Sequence, residues 1–150
     1  MRVKMYNLKV SKRQLQVISQ ACDLLARLHM GQVGEIFDYL PMKEDVDYGK
    51  VWKIREVLSQ MLPEILVHGI DGNSSSLGVG SLDLHKDSNI AIDIHDVIRH
   101  KLSWEDAVEK GIVDSEASPR KWPEMVYTSY DTPFHWGTED LCELEKLNEL

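Results

Sequence analysis

Apolar residues return every three or four positions through most of the chain, a helical period broken by a few short stretches of other patterning. Residues 1–10 place Val3, Met5, Leu8 and Val10 among polar neighbours, an imperfect period of two that predicts a short strand. Ser11 followed by Gln14 has the form of a capping box, and Leu15, Ile18, Cys22, Leu25 and Leu28 then trace one helix stripe over 12–29, closed by Gly31. A short second helix is expected over 32–39, with Ile36, Phe37 and Leu40 packing back before Pro41 stops it. Asp47 can cap a third helix reaching about residue 68, striped by Val51, Ile54, Val57, Leu58, Met61 and Ile65, with Pro63 imposing a kink or an early end.

Beyond it, residues 69–80 read GIDGNSSSLGVG, and this run of glycine and serine must be a loop. Ser88 or Asn89 can cap a fourth helix carrying Ile90, Ile94, Val97, Ile98 and Lys101 on one side. Ser103 with Asp106 repeats the capping pattern for a last short helix that closes at Gly111. From 114 to 137 three prolines alternate with aromatic residues, and at most a brief strand over 125–130 is expected, able to pair with the N-terminal one. The fold expected is mainly α with a small β component: a single-domain helical bundle, residues 1–150, with short terminal strands.

Composition narrows the class of function. At 43% hydrophobic and 28% charged residues the chain is globular, and 150 residues can enclose a core without a metal or disulfide staple. No apolar run approaches the length that spans a bilayer, so a cytoplasmic protein is expected. Cys22 and Cys142 match no metal-ligand spacing and are expected as free thiols. A net charge of −8 disfavours any broad contact with a nucleic-acid backbone. The charge is uneven, with Arg2, Lys4, Lys9, Lys12 and Arg13 at the start and Glu139, Asp140, Glu143, Glu145 and Glu149 at the end. The two ends are expected to attract each other or another copy, giving a homo-oligomer.

Three features could carry chemistry. In the 69–80 loop, glycines let backbone N–H groups approach an anion while Ser74, Ser75 and Ser76 add hydroxyl donors, although no phosphate-loop spacing is present. A plain mobile connector accounts for the same composition. On the 89–102 helix, Asp93, Asp96 and His100 share an edge, and the forked guanidinium of Arg99 suits a phosphate or carboxylate. His95 and His100 point about 140° apart, so no two-histidine metal site forms there, and Asp96 with His100 also reads as an ordinary surface pair. Trp104, Trp122, Tyr127, Tyr130, Phe134 and Trp136 could stack a base or could simply anchor the tail. No nucleophile–base pairing and no cofactor motif is found.

The segments NSSSLGVG, AIDIHDVIRHKLSW and KWPEMVYTSYDTP, preceded by ISQACDLLARLHMGQVGEI, resemble a group of short uncharacterised proteins of tailed-phage and prophage genomes. The resemblance covers most of the chain and aligns Asn73, Ser74, Ser75, Gly78, Asp93, Arg99, Trp104, Asp131 and Pro133 with the group's recurring pattern. It implies an accessory protein that blunts host defence by holding a nucleotide signal or by docking on a host protein.

The expectation is a non-enzymatic protein that binds a small anionic, nucleotide-type ligand through Asn73, Ser74, Ser75, Gly78, Asp93, Arg99 and Trp104, with no catalytic residue, metal or cofactor. The alternative is a protein-interaction module that inhibits a host protein through its acidic surface. A metal-assisted hydrolase using Asp93, Asp96, His95 or His100 is the third reading.

Overall fold

The computed structural model describes residues 6–61, 78–79, 81, 84–111 and 133–147. Helix α1, Lys12–His29, begins as its sequence dictates. The Ser11 hydroxyl accepts the Gln14 N–H at 3.2 Å, and the Gln14 side chain accepts the Ser11 N–H at 2.8 Å. It ends at Gly31, whose φ of 83° reverses the chain so that the Gln32 N–H reaches the Arg27 carbonyl at 2.8 Å. The short second helix takes the tighter 3-10 form, η1, Val33–Asp38. Helix α2, Tyr48–Met61, is capped as expected by Asp47, whose carboxylate accepts the Gly49 N–H at 2.9 Å. The expected continuation to 68 lies outside the described residues.

Helix α3, Lys86–Glu109, runs unbroken where the sequence pattern pointed to two helices. Ser103 does not open a new helix, because the Asp106 carboxylate turns outward to the Lys12 ammonium of α1 instead of capping local backbone. The cap is His85, not Ser88 or Asn89: its ring nitrogen accepts the Asp87 N–H at 3.3 Å, which leaves Ser88 free to be buried in the first turn. Gly111, at φ 66°, lies just beyond the end of the helix, as expected.

Helices α1 and α3 pack antiparallel and form the main tertiary contact, while α2 meets the other described helices only through η1. Three polar rungs tie the pair. Lys12 bonds Asp106 at one end; Ser19 Oγ lies 2.8 Å from His95 Nδ1 in the middle; His29 Nδ1 lies 2.8 Å from Ser88 Oγ at the other. With its proton on Nδ1, His95 also donates to the Ser19 carbonyl at 3.0 Å. Around the His29–Ser88 rung Ala26, Met30, Leu84, Ala91 and Ile92 close a small core, with Cys22 and Val79 against it. The small residues Ala26, Ala91 and Ser88 let the backbones approach closely.

The buried side of α1 is therefore not its most apolar side. Ser19, Ala26 and Met30 are buried, whereas Leu25 of the expected stripe is 42% exposed, so the helix is turned by most of one residue's 100° step toward its polar seam. Helix α2 departs further: it lays Val51, Arg55, Leu58 and Ser59 inward and leaves Ile54, Val57 and Met61 of its predicted stripe exposed. The architecture is mainly helical, with no strand among the described residues. Residues 6–10 lie outside any strand, while 1–5 and 125–130 are not among those described. No helix of the described residues is long and apolar enough to cross a membrane.

Candidate functional site

Grooves among the described residues flank the helices, and two of them bear on function. The first follows the α1–α3 seam, a cleft of about 340 Å³ lined by Arg13, Gln16, Ser19 and Gln20 from α1 and by Arg99, Leu102, Ser103 and Asp106 from α3. The antiparallel register brings the two guanidiniums to one cleft, since Arg13 lies near the start of α1 and Arg99 one turn beyond the His95 rung. Arg13 donates to Gln16 at 3.3 Å, and no carboxylate among the described residues stands within ion-pairing distance of Arg99. The one acidic lining residue, Asp106, is already paired with Lys12, leaving the cleft with a surplus of positive charge. Amide and hydroxyl groups supply neutral donors around the two arginines. Behind the cleft, burial pushes the Asp96 carboxyl up against the opposing pull of His95 and Arg99.

The other expected ligand residues do not gather there. Asn73, Ser74 and Ser75 lie outside the described residues. Gly78 is exposed and starts a turn closed by the Ser81 N–H at 3.1 Å; the adjacent Val79 packs on the Ala26–Met30 end of the helix pair, far along α3 from Arg99. Trp104 sits about 140° around α3 from Arg99, edge-on to His100 with ring centres 6.2 Å apart. Asp93, only 4% exposed, spends both oxygens on the backbone: Oδ1 accepts the Trp136 N–H at 2.8 Å and Oδ2 the Gly137 N–H at 2.7 Å. It fastens the 133–147 segment to α3. With His95 held in the seam and Asp93 held by the tail, two of the four donors named for a metal-assisted hydrolase are engaged in structural bonds. Among the described residues no group of three His, Cys, Asp or Glu is placed to hold a metal ion.

The second groove, about 420 Å³, opens between η1 and α2 and was not anticipated from sequence. Its walls are Gln32, Gly34 and Glu35 on one side and Trp52, Arg55, Glu56 and Ser59 on the other. A polar network holds it in shape. Arg27 donates to both Asp23 oxygens at 2.9 and 3.0 Å and to Gln32 at 3.2 Å; the Tyr39 hydroxyl donates to Asp23; Glu35 lies 3.8 Å from Arg27 and 3.6 Å from Arg55. Burial alone would raise the Asp23 carboxyl, but the bonds from Tyr39 and Arg27 outweigh it and hold it below the usual carboxylate range. Burial and that same bond push the Tyr39 phenol up to about 12. The Asp23–Arg27 spacing of four on a helix was the one sequence signal that could have drawn attention here.

No protein-family model, no curated protein and no solved structure matches this chain.

Proposed function

We propose that the chain is a non-enzymatic accessory protein that holds a small phosphate-bearing, nucleotide-type ligand in the α1–α3 cleft. The observation that supports it is the presence of Arg13 and Arg99 in one cleft, with no carboxylate among the described residues in ion-pairing distance of either. Two forked donors with amides and hydroxyls around them suit the several oxygens of a phosphate. The phage setting, and a host immune signal as the ligand, rest on the sequence resemblance alone.

Calorimetric titration against a panel of cyclic and linear nucleotides tests the reading, using wild type, Arg99→Ala, Arg13→Ala and the loop variant Ser75→Ala. Loss of a charge-assisted bond costs roughly 1.5–3 kcal/mol, so each arginine variant should bind about ten- to a hundredfold more weakly. Recovery of the ligand intact after binding separates holding from turnover. Equal affinity in all four proteins would move the site away from the cleft.

A second reading has its own observation: Glu139, Asp140, Glu143 and Glu145 are all exposed on the segment that Asp93 fastens down. Such a fixed acidic edge suits a basic protein partner and would mark an interaction module. Silence across the nucleotide panel, with salt-sensitive binding to a basic partner that disappears when these four are changed to amides, would favour it.

A further inference from the structure

We infer that the η1–α2 groove is a second binding site, for an organic cation of the guanidinium type laid on the face of Trp52 and paired with Glu56. The sign of the charge decides the ligand class. The α1–α3 cleft carries two arginines against one aspartate; here one arginine, Arg55, stands against two carboxylates, Glu35 and Glu56. The cation is moreover already matched. Arg55 lies 3.6 Å from Glu35 and is laid so closely on the backbone that a Cβ at Gly34 would come 3.0 Å from its Nε. Glu56 is the carboxylate left without an ion pair among the described residues, so an anion entering the groove meets repulsion and a cation meets a partner.

Trp52 supplies the second contact. It is 69% exposed although it lines the groove, which puts its ring within reach of a ligand. Trp52 and Glu56 are four residues apart on α2, neighbours on one helix face, with Arg55 and Ser59 on the same arc. A cation over an indole with a carboxylate alongside is the arrangement that binds guanidinium and alkylammonium groups. The groove is also held in shape, because Arg27, fixed by Asp23, holds Glu35, and Glu35 holds Arg55. Its volume of about 420 Å³ fits one such side chain.

The test is an NMR titration of the full chain following the indole N–H of Trp52, identified by its disappearance in Trp52→Ala. The probes are methylguanidinium, acetyl-Gly-Arg-Gly-amide and, as control, sodium phosphate. The Trp52 signal should shift saturably with both cations, with a dissociation constant of roughly 30–300 mM from one exposed cation–π contact plus one exposed ion pair, and not with phosphate. Glu56→Gln should weaken binding by about 1.5- to 5-fold. In Trp52→Ala the backbone amides of Glu56 and Ser59 should no longer respond. Both substitutions fall on exposed positions, so the fold survives them. Tighter binding of the peptide than of methylguanidinium assigns the site to an arginine borne on a protein; equal affinity assigns it to a free small cation. An unsaturable shift, an equal response to phosphate, or unchanged binding in both variants would overturn the proposal.

Discussion

A Cβ built on Gly137 would lie 2.8 Å from Asp93 Oδ2 and 3.3 Å from the Ile90 backbone, so Gly137→Ala must push the tail off α3 or break the bond to Asp93. Overpacking of this kind costs about 1–3 kcal/mol, and urea denaturation should show it as a lower midpoint. Gly78→Ala, whose Cβ would meet open space, is the neutral control. The Asp23–Tyr39 pair makes opposite predictions at the two ends of the pH scale. Asp23 has its folded pKa depressed, so its contribution is complete above the unfolded value near 4 and is lost as pH falls below it. Tyr39 has its folded pKa raised from 10 to about 12, so its contribution is complete below pH 10 and is lost between 10 and 12. Asp23→Asn should flatten the acid limb of a stability–pH curve and Tyr39→Phe the alkaline limb. A Tyr39→Phe curve that keeps the wild-type alkaline slope would show that the phenol does not carry it.

Helix ends proved readable from sequence because their chemistry is local. Ser11 and Gln14 lie three residues apart, Gly31 and Gly111 need only their own backbone conformation, and Asp47 caps the N–H two residues on. Which side of each helix is buried was not readable, because that depends on hydrogen bonds between distant residues. Ser19 and His29 are polar and look like surface positions until His95 and Ser88 arrive opposite them. The grooves were hidden for the same reason, and of the expected ligand residues among the described ones only Arg99 lines either groove. Leu25→Asp and Ile54→Asp, at positions 42% and 51% exposed, should leave the fold intact, whereas Ala26→Asp or Ile98→Asp, at 0% and 2%, should abolish soluble expression by burying an unpaired charge. The continuity of α3 has its own test. If a new helix began after Ser103, proline at 104 would occupy a favourable first position. In one unbroken helix, Trp104→Pro should cost roughly 3 kcal/mol more than Trp104→Ala.

At the scale of the whole molecule, little apolar bulk is enclosed among the described residues while Ile54, Val57 and Met61 stand exposed on the side of α2 turned away from Trp52. A surface of that kind, on a chain basic at its start and acidic at its end, is expected to self-associate at tens of micromolar. Light scattering at low salt should give more than the monomer mass, and the monomer mass alone would refute it. Lys12 at least is already committed within the chain, to Asp106 and Glu109, so α3 takes up part of the N-terminal charge before the acidic tail can. The three rungs have one more consequence, in the order of events during synthesis. They join residues 59, 76 and 94 positions apart, and loop closure over such lengths differs by only about 0.4 kcal/mol, too little to choose which rung forms first. All three wait for α3, which ends 80 residues after α1 does; at about 5–20 residues per second, α1 leaves the ribosome roughly 4–16 s before its partner is complete. For those seconds Ala26, Met30 and Cys22 lack the later residues they pack against, which leaves the nascent first helix open to chaperones.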